Sequence, residues 1–433
     1  MFSPYAKKSS KETIKLLFHL FVNPFICVYL HSVIPYYYMT VPDEKAEYFR
    51  IKKLLHSLPL QENEYLLHEI DDFGMKYNHS KLYSSLKRKY KWHRIYHPGH
   101  LPIGKPTDSW VNRQSPLVSV IVPNYNHAAY LHERIDCILN QTFENYEVIL
   151  LDDCSMDESR DILLSYKGHP KVSHVVLNEH NTGNTFLQWE KGLSLAKGEY
   201  VWIAESDDYA DESFLSATMT VFCQHQDCVM VRTGSYIVNE KGRVLFMDWD
   251  EWKEDETIHY YHGNDYIRHN MLHFNYIYNA SMVVFRKDAF QKIDKSYQKY
   301  RYTGDWLCWM EMLQLGPICE YRRKLNYFRQ HKNKVSKRSS TTKLGFVDEL
   351  NVLAYAVSHV KMSSLRKLML RGERYYLYLR WSYNVSDESV KKACFEALTN
   401  NLHATARHNF WYKLIKWFDF LPFVPTEKND KYK

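Results

Sequence analysis

Three carboxylates fall within four residues at Glu205-Ser206-Asp207-Asp208, directly after the strand-like run EYVWIA. Anions crowded at the end of a strand repel one another. A hard divalent ion, Mg²⁺ or Mn²⁺, shared with substrate phosphates is their natural partner; a solvated helix N-terminus, where Asp is favoured by the dipole, is the plain alternative. A second acidic pair, Asp152-Asp153, follows YEVILL and precedes Cys154-Ser155-Met156-Asp157, which reads as a turn opening a helix. One of these carboxylates can cap that helix. The other, at a strand's carboxyl end, is placed to accept a hydrogen bond from a nucleobase imide or a ribose hydroxyl. The region holds neither a dinucleotide-binding glycine fingerprint nor a P-loop, so redox and ATPase readings lack support and phosphate neutralisation falls to a metal.

The elements that must carry these groups begin at Leu117. LVSVIVP, a helix from about His127 to Asn140, YEVILLD, a helix after Asp157, VSHVVL, a helix through Trp189 and EYVWIAE alternate strand with helix. That pattern predicts an α/β domain with a mostly parallel sheet flanked by helices. Ligands of open α/β sheets bind beyond the carboxyl ends of the strands, and each polar cluster falls at such an end.

The stretches SVIVPNYN, EVILLDDCSMDES and NTGNTFLQWEKGLSLAKGEYVWIAESDDY resemble glycosyltransferase family 2, of the Rossmann-like GT-A fold, in the order and spacing of four elements. The resemblance implies a nucleotide-diphospho-sugar donor, inversion at the anomeric carbon, and Mn²⁺ or Mg²⁺ bridging the diphosphate. It assigns the nucleoside to Pro123, Tyr125, Asp152 and Asp153. The family's D-x-D element falls on Glu205-Ser206-Asp207, which gives the metal to Asp207, with Asp208 adjoining, and the nucleotide side to Glu205. Glu stands there in place of the usual first Asp. Asn181-Thr182-Gly183-Asn184 resembles the N-x-G turn ahead of the helix beneath the sugar, although Gly183 also suits a plain turn.

Farther on, Tyr302-Thr303-Gly304-Asp305-Trp306 resembles the family's Glu-Asp element, whose Asp is the catalytic base; Gly304 replaces the Glu. Asp305 is thus the expected base, and a helix N-cap is the plain alternative. Tyr327 to Ser336 resembles the closing Arg-x-His segment, in which His331 completes the metal's shell and Arg or Lys neutralises the leaving diphosphate.

The expected organisation is a partly apolar N-terminal extension over 1–112, a catalytic domain over 113–340 and a C-terminal helical region over 341–433. Among 433 residues the formal net charge is +7, with basic runs at 81–94 and 322–338. No helix-turn-helix, zinc-finger or RNP-like pattern accompanies that charge, so nucleic acid is not an expected partner. An anionic membrane face or a phosphorylated substrate fits it better. Eight scattered Cys suit a reducing compartment. Residues 16–38 lack Asp, Glu, Lys and Arg but contain His19, Asn23, Pro24, His31 and Pro35, which disfavour a straight lipid-facing helix. Lys7, Lys8, Lys11 and Lys15 would also hold the N-terminus inside and send the catalytic domain outward if this stretch spanned. It is therefore read as monotopic or protein-packed. The tail FWYKLIKWFDFLPF fits either an interfacial helix or one docked on its own domain.

The expected setting is cytoplasmic, at the inner face of the plasma membrane, with a saccharide or lipid-linked acceptor of surface-polysaccharide assembly. Two rivals stand beside it. A sugar-nucleotide nucleotidyltransferase would need a Gly-rich, basic loop after the first strand, where Pro123-Asn124-Tyr125-Asn126 stands instead. A non-catalytic, binding member of the family would account for Glu205 and Gly304.

Overall fold

A computed structural model of the chain describes residues 48, 50, 51, 70, 82, 86, 100–102, 107–247, 257–331 and 344–418. The chain divides into two compact units, Met1–Lys91 and Trp92–Lys433. In the first, Tyr48, Ile51, Ile70 and Leu86 are helical and buried. The apolar stretch at 16–38 lies outside the described residues.

The second unit is built on an 11-stranded sheet ordered β1-β9-β11-β7-β10-β5-β2-β3-β4, with β6 on β11 and β8 on β7. Its strands are β1 (His100–Pro102), β2 (Val118–Asn124), β3 (Tyr146–Asp152), β4 (Val172–Leu177), β5 (Tyr200–Ile203), β6 (Tyr209–Ala210), β7 (Met230–Val238), β8 (Val244–Met247), β9 (Thr257–Tyr261), β10 (Val283–Arg286) and β11 (Ile318–Arg329). β2 and β3 are buried along their whole length, as near-continuous Val/Ile/Leu runs must be when helices cover both faces. Their side chains alternate between two cores. Val120, Val122, Leu150 and Trp202 enter one, while Ile121, Ile149, Leu151, Val201 and Ile203 enter the other.

β2, β3, β4 and β5 pair in parallel, joined by α1 (Ala128–Leu139), α2 (Ser159–Ser165) and α3 (Thr185–Leu195). The expected α/β, GT-A architecture is present. Its far half is mixed: β10 runs antiparallel to both β5 and β7, and β7 pairs in parallel with β11. α4 (Phe214–Gln224) covers the core formed by Trp202 and Phe214, and α5 (Gly304–Leu313) covers the other. The chain steps from β2 to β3 to β4 and then returns to the opposite side of β2 as β5. The strand order reverses between β2 and β5, which opens a crevice beyond their carboxyl ends.

Helices α6 (Gly345–His359), α7 (Ser364–Tyr383), α8 (Glu388–Glu396) and α9 (Ala406–Phe418) form the C-terminal region. Leu350, Leu353 and Val357 of α6 join the same core as Trp309 of α5. α9 packs on α7, where a Cβ on Gly372 would lie 2.4 Å from the His408 carbonyl oxygen and from Tyr412 Cβ. Tyr412 is buried there with Met369. Of the two expectations for the aromatic tail, the docked helix is what the described part of α9 shows. No described helix is long and apolar enough to cross a membrane.

Candidate active site

At the crevice, Pro123 is the last but one residue of β2, within the buried sheet, and Tyr125 projects at the mouth, 45% exposed. Asn126 takes φ 56°, a left-handed conformation that Asn tolerates, and its Oδ1 accepts from Met156 N at 2.7 Å. Its own N–H donates to Ser155 Oγ at 2.9 Å. Asp152 fixes this corner by accepting from Asn124 Nδ2 at 2.9 Å, Ser155 N at 2.9 Å and Ser155 Oγ at 2.5 Å.

Asp153 does the same for the next loop. It accepts from Asn178 Nδ2 at 2.8 Å, Thr182 Oγ1 at 2.8 Å, Thr182 N at 3.0 Å and Gln188 Nε2 at 2.8 Å. That bonding shapes the turn at Gly183, whose φ of 67° favours glycine although a Cβ would meet nothing nearer than Asn181 Oδ1 at 3.7 Å. Asn184 then caps α3 by accepting from Phe186 N at 2.9 Å. Both acids of the pair are thus satisfied within the fold, including the one expected to be spare for a ligand. Each of them fixes the shape of one loop at the crevice.

The acidic run after β5 divides its labour. Asp207 lies with Oδ2 2.9 Å from His331 Nε2, and His127 brings a third donor, so that one ligand atom from each of the three lies within 4.8 Å of the others. His127 Nδ1 is 2.8 Å from Ser206 Oγ, and its ring meets that of His331 edge-on at 5.4 Å. Burial, the largest influence on His127, lowers its pKa and keeps the imidazole neutral, the form that binds metals.

Asp208 was expected in this group and stands outside it. Its oxygens accept from Asn279 Nδ2 at 2.7 Å, Ser281 Oγ at 2.9 Å and Arg329 N at 2.9 Å, which makes it a brace between β11 and the turn after β5. Arg329 is also redirected. Its buried guanidinium donates to the Asp207 carbonyl at 2.8 Å and the Glu240 carbonyl at 2.9 Å, pairs with Glu133, and lies 4.8 Å from the Tyr130 ring centroid. It holds the site's frame and is not the free cation expected for a leaving diphosphate. Residues 332–340, with the segment's lysines, lie outside the described residues.

Glu205 accepts from Trp189 Nε1 at 3.1 Å, and burial, reinforced by Asp207 and Asp208, pushes its carboxyl up to about 8. Asp305 sits in the first turn of α5 rather than at its N-cap, which is Thr303. Asn275 Nδ2 donates to Asp305 Oδ2 at 3.0 Å, and burial lifts the carboxyl to about 6 despite bonds from the backbone N–H groups of Trp306 and Asp305 itself. Two rings connect the two acids. A Cβ on Gly304 would lie 2.5 Å from Phe186 Cε2, and Phe186 meets Trp189 edge-on at 5.1 Å. A Glu at 304, as in the Glu-Asp element that this segment resembles, has no room here, because the Tyr297 carbonyl and the Phe186 ring fill its place.

A donor set of two imidazoles and one carboxylate fits a first-row divalent ion such as Mn²⁺ better than Mg²⁺, which prefers oxygen alone. His127 and Asn275 carry no recognisable spacing in sequence. Their partners are distant along the chain, so only the fold reveals them.

Residues 119–294 match the family model for glycosyl transferase family 2. An uncharacterized glycosyltransferase of Haemophilus influenzae is 31% identical over 229 residues, 51% of this chain and 68% of that protein. The putative teichuronic acid biosynthesis glycosyltransferase TuaG of Bacillus subtilis is 35% identical over 130 residues, 30% of this chain and 51% of TuaG. The chain therefore spans only about half of TuaG's length. The crystal structure of S. aureus TarS 1-349 in complex with UDP-GlcNAc aligns with TM-score 0.53 and 19% identity over 73% of this chain and 91% of that one, a likeness of fold.

Proposed function

This chain belongs to glycosyltransferase family 2, and from that premise we propose that it is an inverting, metal-dependent enzyme that transfers a sugar from a nucleotide-diphospho-sugar to an acceptor hydroxyl. The observation that carries this reading is the convergence of His127, Asp207 and His331 where the strand order reverses. A UDP-sugar is the first donor to try, since TarS is solved with UDP-GlcNAc. We place its acceptor, a saccharide or a lipid-linked one, in envelope polysaccharide assembly at the inner face of the plasma membrane; the likeness to TuaG, named for teichuronic acid biosynthesis, supports the polysaccharide part.

In this mechanism Asp305 removes the acceptor's hydroxyl proton as the new glycosidic bond forms and the bond from the anomeric carbon to the diphosphate breaks. The nucleoside diphosphate leaves with the electron pair. A carboxylate whose pKa is about 6 is ionised at neutral pH yet basic enough for that transfer. Asn275 aims it. Tyr125 and the loops tied by Asp152 and Asp153 seat the nucleotide, with Glu205 held beneath by Trp189. A divalent ion on His127, Asp207 and His331 would offset the charge of the diphosphate.

The test is hydrolysis of UDP-GlcNAc by water, with Mn²⁺, with Mg²⁺ and with EDTA. Turnover should need the ion and fall by at least about 10²-fold in Asp207→Ala, the usual scale for one lost electrostatic contact in the transition state. Nucleotide binding by calorimetry without any hydrolysis, across a panel of nucleotide sugars, would return the non-catalytic reading. Ion-independent turnover would remove the metal from it.

A further inference from the structure

Residues 273–279 join a π-helical turn (Ile267–Met271) to a 3-10 turn (Ala280–Met282). Five residues outside this segment hold it. At its start Arg374 of α7 donates to the carbonyls of Leu272 and His273, at 2.9 Å each, and His273 faces Glu373 at 3.1 Å. In the middle the buried guanidinium of Arg232 donates to the Tyr276 carbonyl at 2.7 Å. Asn275 reaches Asp305, and Asn279 reaches Asp208. One short stretch of chain thus touches the expected base at one point and, a few residues on, the turn that carries Asp207. It borders the space in which an acceptor hydroxyl would have to meet the donor's anomeric carbon.

The side chains along it are unusual for a brace. Phe274, Tyr276 and Tyr278 are half-buried, while Ile277 between them is fully buried. Phe274 lies 5.9 Å from Tyr276 and 6.5 Å from Tyr278, and Tyr278 lies 5.8 Å from Phe328 of β11, so the rings form one continuous run. Beside them Asn275 Oδ1 is buried without a hydrogen-bond partner. A sugar ring has apolar C–H faces and a rim of hydroxyls. Amphipathic aromatic rings with one convergent acceptor oxygen complement both.

We propose that residues 273–279 are the acceptor platform: Phe274 and Tyr278 carry a saccharide ring, while Asn275 positions Asp305 and takes a hydrogen bond from an acceptor hydroxyl. This rests on the glycosyl-transfer reading above. It also gives the C-terminal helices a task, because Arg374 fixes the segment's entry.

The experiment has two arms on the full chain. Saturation-transfer NMR with methyl glycosides of glucose, galactose and N-acetylglucosamine reads the platform, and Mn²⁺-dependent hydrolysis of UDP-GlcNAc reads the donor site. The parent should transfer saturation to the sugar-ring protons. Phe274→Ala and Tyr278→Ala should lose that contact by roughly fivefold, the scale of one lost ring interaction, while Tyr278→Phe keeps it. Donor hydrolysis should persist in all three. The platform is overturned if the hydrolytically active parent shows no glycoside contact, if the alanine variants keep it, or if folded variants lose hydrolysis instead, which would place the rings at the donor. A parent that contacts glycosides but never hydrolyses a donor overturns the transferase reading and leaves the saccharide platform standing.

Discussion

At the scale of single residues, the site depends on acids that share a chemistry but differ in surroundings. Asp208 accepts from three protein donors, Asp207 faces two imidazoles, and Asp305 accepts from one side-chain amide and from backbone N–H groups at the start of α5. Burial raises Asp305 to about 6, well above the usual carboxylate range, and the sign of that shift fixes two outcomes. Transfer needs the ionised form, so kcat/KM should fall tenfold per unit as pH drops below about 6. Stability runs the other way. Between the two pKa values the unfolded chain releases this proton more readily than the folded one, so ionisation there favours unfolding, and the resulting cost is fully present above pH 6. Asp305→Asn removes that cost. It should lower turnover by roughly 10² to 10⁴ while leaving Tm at pH 8 unchanged or raised, as read by calorimetry beside the transfer assay. A drop in Tm would make Asp305 a structural acid. Such distinctions were only partly legible in sequence. The run Glu205-Ser206-Asp207-Asp208 announces a crowded anionic site, but which of its members turns inward depends on Asn279, Ser281 and Arg329, residues whose partners are chosen by the fold.

At the scale of elements, strand and helix periodicity from Leu117 to Glu205 sufficed to read β2 to β5 and the helices between them, because continuous buried apolar runs alternate with amphipathic ones. The far half was harder to read. β10 is only four residues long, β11 carries Glu, Arg, Lys and Asn within its strand, and their pairings join segments distant along the chain. The packing of α5 is equally a product of tertiary contact. Gly304 opens that helix against Tyr297 and Phe186, where a Cβ would lie 2.4 Å from the Tyr297 carbonyl oxygen and 2.5 Å from the Phe186 ring. Restoring the common family residue by Gly304→Glu should therefore be harmful here. We expect a loss of about 1 to 3 kcal/mol by urea unfolding from overpacking, with turnover falling beside it as α5 and Asp305 shift. Gly304→Glu combined with Phe186→Ala should recover part of both. If the single variant is as stable as the parent, α5 is looser than the packing of Phe186 implies.

At the scale of the whole molecule, charge and aromatic surface suggest how the enzyme would meet an acceptor anchored in a membrane. The net charge is +7, and basic runs stand at 81–94 and 322–338, with Lys324 and Arg329 of the second buried in β11. On α9, Tyr412 is buried against α7 while Phe410 and Lys413 are exposed. Each basic residue at an anionic surface contributes about 1 kcal/mol, and salt screens that attraction over about 10 Å at 0.1 M. A chain held mainly by such charges should co-sediment with vesicles rich in anionic lipid at low ionic strength. It should return to the supernatant at high salt and ignore neutral vesicles. Retention in the supernatant at low salt with anionic vesicles would mean that the positive charge serves the phosphorylated substrate rather than a membrane. Pelleting that survives both high salt and alkaline carbonate would instead place residues 16–38 inside the bilayer, against the prolines and lysines that argue for a monotopic or packed segment. Lys413 is exposed, yet its Nζ also lies 5.4 Å from the Tyr376 ring centroid on α7, so loss of salt-sensitive binding in Lys413→Glu would assign part of the contact to α9 only if Tm is unchanged.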